Sequence, residues 1–170
     1  MKNRKILYLT QAGVIAALYF ALTWASRFLG IADGAVQFRL SEMLTVLPFF
    51  TPAAVPGLAV GCFFSNIGSE LGFADVIIGS AASLLAAFAT RRMRKMTVKG
   101  LPLIPLLPPV LFNAVIVGLE LNFFFPPPDK TSFLISFLMF AASVGAGQLV
   151  VCYGLGLPFF AAVKKIKVFK

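Results

Sequence analysis

Long apolar runs follow one another along this chain, and its charged side chains collect where the runs end. Several runs approach the ~20 residues that one helical span of a bilayer needs. That pattern excludes most soluble folds, because a soluble domain spreads charge over its surface at about a quarter of its residues. Here 12% of the 170 residues are charged and 59% are hydrophobic. The reading is an all-α integral membrane protein, one transmembrane domain over residues 1–170. The run after the basic N-terminus lasts from Ile6 to Phe28. That is too long for a signal-peptide core, so it reads as the first span.

Net charge is +9, from fifteen Lys and Arg against six Asp and Glu. The basic residues cluster at the ends of the apolar runs, which is the positive-inside pattern. No aromatic-basic motif for nucleic acid accompanies them. With no histidine, and with Cys62 and Cys152 each set in apolar sequence, no metal-ligand cluster is expected and both cysteines read as packed thiols.

The block Leu40 to Phe64 decides the topology. As one helix it would hold Pro48, Pro52 and Pro56, each removing a backbone bond and clashing with the preceding turn. Charge parity favours two short helices with a turn at Thr51-Pro52. Only then does the cluster Arg91, Arg92, Arg94, Lys95 and Lys99 fall on the cytoplasmic side with the basic N-terminus. Helices this short must tilt, thin the membrane or be shielded by neighbours. Further spans are expected at about Phe73 to Thr90, Leu101 to Phe125 (regular from near Pro109) and Ser132 to Ala162. The result is six transmembrane helices with both termini cytoplasmic. Twelve basic residues then lie inside, with Arg27, Arg39 and Lys130 outside. All six carboxylates, Asp33, Glu42, Glu70, Asp75, Glu120 and Asp129, fall at the outer end, although none was used to choose the topology.

Charges in membrane helices are costly and mark pathways or binding sites. Arg39 and Glu42, three apart, share a helix face; they form either an ion pair or part of a ligand site. Glu120 stands in a run whose other polar residue is Asn122, with Asn113 on roughly its face, so its carboxylate must pair, bind a ligand or hold a proton. Asp75 suits the first turn of its helix and is either a cap or a ligand contact. Trp24 is either an interfacial anchor or a lid over a planar ligand. Small residues recur in the first span at Ala12 and Ala16 and, one step over, at Gly13, Ala17 and Ala21. This stripe serves either packing within the chain or docking of a partner subunit. No catalytic constellation, phosphate loop or ATP motif is visible. A chain of this length with no internal repeat is unlike a complete secondary transporter. It reads as a binding subunit energised from elsewhere.

Three segments, FRLSEMLTVLPFFTPAAVPGLAVGC from Phe38, NIGSELGFADVIIGSAASLLAA from Asn66 and PPVLFNAVIVGLELN from Pro108, resemble the QueT family. These are substrate-binding S components of energy-coupling-factor (ECF) transporters for queuosine precursors. The resemblance covers about Ile6 to Ala162. It implies an S-component bundle in a prokaryotic plasma membrane, without an ATPase of its own and without a cofactor. A membrane-embedded T subunit and two ATPases would be its partners, met through Ala12, Ala16, Ala17 and Ala21. The implied ligand is 7-aminomethyl-7-deazaguanine or a relative. Arg39, Glu42, Asn66, Asp75, Asn113 and Glu120 would surround it, with Trp24 available to stack. Glu120 is the first choice for the guanine-like N–H edge and Glu42 the alternative. The competing readings are an S component for another vitamin-like substrate, a small membrane enzyme, which the missing catalytic cluster disfavours, and a ligand-free structural subunit, which the polar cluster disfavours.

Overall fold

The computed structural model describes residues 2–32, 37–69, 71–125 and 132–166. Asp33, Glu70, Asp129 and Lys130 lie outside these described residues. Six helices run alternately up and down: α1 (Lys2–Phe28), α2 (Leu40–Phe49), α3 (Ala54–Asn66), α4 (Phe73–Met93), α5 (Leu107–Phe124) and α6 (Phe133–Lys165). Four of them, α1, α4, α5 and α6, are long and apolar enough to cross a membrane, while α2 and α3 are shorter apolar helices. Among the described residues the only extended pairing is an isolated bridge, Val98 to Leu101, in the basic loop between α4 and α5.

α2 is wound as a 3-10 helix over ten residues, longer than such helices usually run. The expected turn at Thr51-Pro52 is where the chain breaks between α2 and α3. Of the two short helices, α2 is shielded by its neighbours. Leu44 and Leu47 of α2 pack with Ile15 and Tyr19 of α1, Leu58 and Cys62 of α3, Ala87 of α4 and Val163 of α6. On its other side Val46 meets Leu106 and Phe160, and the rings of Phe49 and Phe50 each lie 5.1 Å from that of Phe160. Apolar side chains left exposed lie on the long helices, as at Leu9, Ile77, Leu111 and Met139, and on α3 at Val60, Phe63 and Phe64.

Close helix approaches rest on small residues. A Cβ on Gly61 of α3 would sit 2.7 Å from the Tyr19 Cβ and 2.9 Å from the Ala16 carbonyl, and one on Gly57 would sit 2.8 Å from the Ala12 carbonyl. Ala12 and Ala16 therefore face α3 within the chain, whereas Ala17 and Ala21 are exposed with Gly13. The stripe expected to meet a partner is divided between two faces.

The irregular backbone is satisfied by side chains. Pro52 has no N–H to offer the Pro48 carbonyl, and the Ala53 N–H turns instead to the Thr51 hydroxyl at 3.3 Å. The guanidinium of Arg91, in the last turn of α4, donates to the stranded carbonyls of Pro48 and Phe49 at 3.1 and 3.2 Å. At the proline-rich start of α5, Thr90 and Tyr153 donate to the carbonyls of Pro105 and Leu103 at 2.9 and 2.7 Å. Pro108 and Pro109 fit the first turn of α5, whose N–H groups need no partner inside the helix. α5 and α6 each contain a π turn, at Asn113–Val117 and Val150–Leu155. They come together at Gly118 against Ala141, and Ser136 of α6 donates to Asn122 of α5.

Arg91→Met keeps the bulk of the side chain and strands both carbonyls. It is expected to destabilise the protein by about 1–3 kcal/mol, measured as thermal unfolding in detergent. Arg92→Met, at an exposed position of the same turn, should leave the midpoint unchanged.

Candidate functional site

Two polar layers converge at the end of the bundle opposite Arg91. The first is a zipper between one face of α1 and the start of α2. Tyr19, Thr23 and Ser26 are four and three residues apart and share that face. The Tyr19 hydroxyl donates to Glu42 Oε1 at 2.5 Å, the Thr23 hydroxyl to Ser41 Oγ at 2.8 Å, and the Leu40 N–H to Ser26 Oγ at 2.9 Å. These bonds fix the register of α2 and point Glu42 inward. Their signal was legible as polar residues at helical spacing in an otherwise apolar span, but sequence reasoning passed over it.

The second layer holds Arg39. Its Nη1 donates to Asn66 Oδ1 at 3.2 Å, and its Nη2 lies 3.7 Å from Asp75 Oδ2. Asn66 Nδ2 in turn donates to the backbone carbonyl and Oδ1 of Asp75 at 3.0 and 3.1 Å. Asp75 does stand in the first turn of α4, but its carboxylate faces Asn66 and Arg39. The pairing of Arg39 with Glu42 that their spacing allowed gives way here to Arg39 with Asp75 and Glu42 with Tyr19. Gly79 makes room for the network, since a Cβ there would lie 2.5 Å from Asn66 Nδ2 and 2.7 Å from Asp75 Oδ1.

Between the layers lies a cleft of about 270 Å³, counting the open space at its mouth. Every helix contributes to its wall. Tyr19, Gln37, Arg39 and Glu42 line one side, Asn113 and Gln148 supply polar groups from α5 and α6, and Val117 and Val144 give an apolar surface. Cys62 and Ser83 complete it. Its enclosed space is about 10 Å³, roughly one water-sized sphere. Cys152 lies behind it, its Sγ 3.5 Å from Gln148 Oε1 and 3.7 Å from the Glu42 carbonyl. Both cysteines are free and buried.

Of the residues singled out from sequence, Arg39, Glu42 and Asn113 line the cleft, and Asn66 and Asp75 stand behind Arg39. Glu120 is 3% exposed, one turn beyond Val117, and neither carboxylate oxygen has a hydrogen-bond partner among the described residues. Trp24 packs elsewhere, with its ring between Phe20 and Phe28, 5.7 Å from the Arg27 guanidinium and close over Gly68. Gln37, Tyr19, Ser83 and Gln148 were not singled out as site residues.

Apolar helices of membrane-spanning length, closed around a buried polar cleft at one end, define a polytopic membrane protein. The chain belongs to the QueT transporter family, whose model matches residues 9–165. It is also similar to the "Queuosine precursor transporter QueT" of Lactococcus lactis subsp. cremoris (strain MG1363), with 35% identity over 85 residues, 50% of this chain and 50% of that relative. The match thus spans about half the relative's length. No solved structure matches the chain.

Gly79→Ala should push Asn66 off Asp75 and lower the unfolding midpoint, at a cost of about 1–3 kcal/mol. Asn66→Ala removes the amide that a new Cβ would strike. Adding Gly79→Ala to that background should therefore cost less than in wild type, with a coupling of ~0.5–3 kcal/mol in a double-mutant cycle of thermal unfolding.

Proposed function

We propose that this chain is the substrate-binding S subunit of an ECF-type uptake transporter, taking a queuosine precursor such as 7-aminomethyl-7-deazaguanine from outside. The observation that carries the reading is the polar cleft where all six helices of a QueT-family chain meet. The named substrate of the similar Lactococcus lactis protein, a queuosine precursor, supports the ligand class. Glu42 lies on the cleft wall, so it takes the N–H edge of the guanine-like ring as a pair of acceptors. Arg39, held by Asn66 and Asp75, donates to the ring carbonyl, and Asn113 and Gln148 serve the remaining polar edge. The cleft must widen to admit a bicyclic ring. ATP hydrolysis by partner subunits, a T subunit and two ATPases, would drive uptake. They would be met on the exposed Gly13, Ala17 and Ala21 face of α1. Six transmembrane spans with both termini in the cytoplasm would put the cleft end outside and the Arg91 end inside, in line with the charge segregation.

Mild-detergent purification from membranes that hold the partners is expected to yield the deazapurine, released on denaturation and identified by mass spectrometry, together with the T subunit and ATPases. Ala17→Leu should lose the partners and keep the ligand. A chain that binds no deazapurine in calorimetry is not this subunit.

Membrane-impermeant maleimide should label Ser69→Cys on intact cells and leave Lys95→Cys unlabelled until the cells are opened. Labelling of Lys95→Cys from outside would require an odd number of spans before it.

A further inference from the structure

The cleft encloses room for about one water, so a ring-sized ligand enters only if part of the wall moves. Four helices are bonded to one another around it. Tyr19, Thr23 and Ser26 tie α1 to the start of α2, and Arg39 ties that start to Asn66 of α3 and Asp75 of α4. Arg27 of α1 donates to the Ser65 carbonyl of α3 at 2.5 Å. The rest of the wall comes from α5 and α6, as Asn113, Val117, Val144 and Gln148. Each of these two helices changes its packing partner at its π turn. In α5, the segment up to Val117 packs against α4, whereas Gly118–Phe124 packs mainly against α6. In α6, the π turn packs against α2, whereas Phe133–Leu149 packs mainly against α5. The inner side is pinned: Thr45 of α2 lies 3.6 Å from Cys152 Sγ in the α6 π turn, Tyr153 of that turn donates to the Leu103 carbonyl, and Thr90 of α4 donates to that of Pro105. The two outer segments are fastened to each other, by Gly118 against Ala141 and by Asn122 to Ser136 and to the Phe133 carbonyl. Toward the bundle they present Val117, Leu121 and Val144, with Leu71 packed against that cluster. Such apolar contacts are not directional and separate without breaking a hydrogen bond. Glu120, on the same segment, is buried with neither carboxylate oxygen bonded among the described residues, so water admitted there relieves a desolvation cost.

We propose that Gly118–Phe124 and Phe133–Leu149 form one gate, which swings away from the bundle about the two π turns to open the cleft and returns to close over a bound ligand. The inference rests on the binding-subunit reading above and adds how the site is entered. The π turns are the pivots, because sharp bends in long helices concentrate at such turns. The Asn122–Ser136 pair keeps the two segments together, and the apolar cluster around Leu121 is the latch. The bonded helices α1 to α4 stay in place, so Arg39 and Glu42 keep their geometry through the movement.

The test places spin labels at exposed positions of the purified full-length protein and reads their separation by pulsed electron paramagnetic resonance. Leu134→Cys on outer α6 is paired with Phe73→Cys on α4, and Leu18→Cys on α1 with Phe73→Cys serves as reference; the native Cys62 and Cys152 are buried. Without ligand, the Phe73–Leu134 separation should include a longer population, which 7-aminomethyl-7-deazaguanine removes. The Leu18–Phe73 separation should not change. Leu121→Ala, outside the cleft wall, should shift the ligand-free protein toward the longer separation and speed ligand release about tenfold. A Phe73–Leu134 separation that the ligand leaves unchanged, while calorimetry records its binding, overturns the gate and leaves the binding reading intact. An equal change in the reference pair, or release from the Leu121→Ala protein at the wild-type rate, does the same. If calorimetry records no binding, the binding reading falls; a single Phe73–Leu134 population then overturns the gate with it, and a longer population confined to that pair keeps it. The label pairs decide even if the Leu121 variant does not fold.

Discussion

In hydrocarbon, every backbone N–H and C=O must find a partner inside the protein. A proline-broken segment fails that condition on its own, because Pro48, Pro52 and Pro56 offer no N–H. Irregular backbone at membrane depth is tolerated only where protein surrounds it or a cavity opens beside it. α2 meets both conditions. Its apolar side chains are enclosed by α1, α3, α4 and α6, its stranded carbonyls are taken by Arg91, and its first turn borders the cleft. The central position of α2 thus follows from its prolines, and the position of the site follows from α2, since Arg39 and Glu42 stand at its start.

The same requirement shapes the polar layers. Burying Arg39 would be prohibitive without compensation, and Asn66 and Asp75 supply it from two further helices. Gly79 is the space this network occupies. Tyr19, Thr23 and Ser26 do the corresponding work for α2, holding the Glu42 and Ser41 side chains and the Leu40 N–H in one register. The groups that stabilise the arrangement around Arg39 also orient it toward the cleft.

Much of this was legible in the sequence for definite reasons. The prolines forced the break at Thr51-Pro52, and the apolar runs located the long helices. Other parts needed the fold. Arg39 lies 36 residues from Asp75, and no local spacing announces that pair. Ala12, Ala16, Ala17 and Ala21 carry one signature, small residues at helical spacing, which looks the same whether the facing helix belongs to this chain or to another. Asn113 and Glu120 are seven apart and fall together on an ideal α-helix. The π turn between them inserts a residue's worth of rotation, about 100°, and only Asn113 reaches the cleft wall. Nothing in NAVIV marks that turn in advance.

The 3-10 winding of α2 has a mechanical consequence. At ~2.0 Å per residue its ten residues extend about 20 Å, where an α-helix of equal length would reach about 15 Å. It is a stretched strut, gripped by Arg91 at one tip and carrying Glu42 near the other. Rewinding toward α geometry would shorten it by about 5 Å and draw Glu42 along the bundle axis. The Arg91 contact and the cleft are thereby joined through the interior by an element whose length depends on its hydrogen-bond pattern.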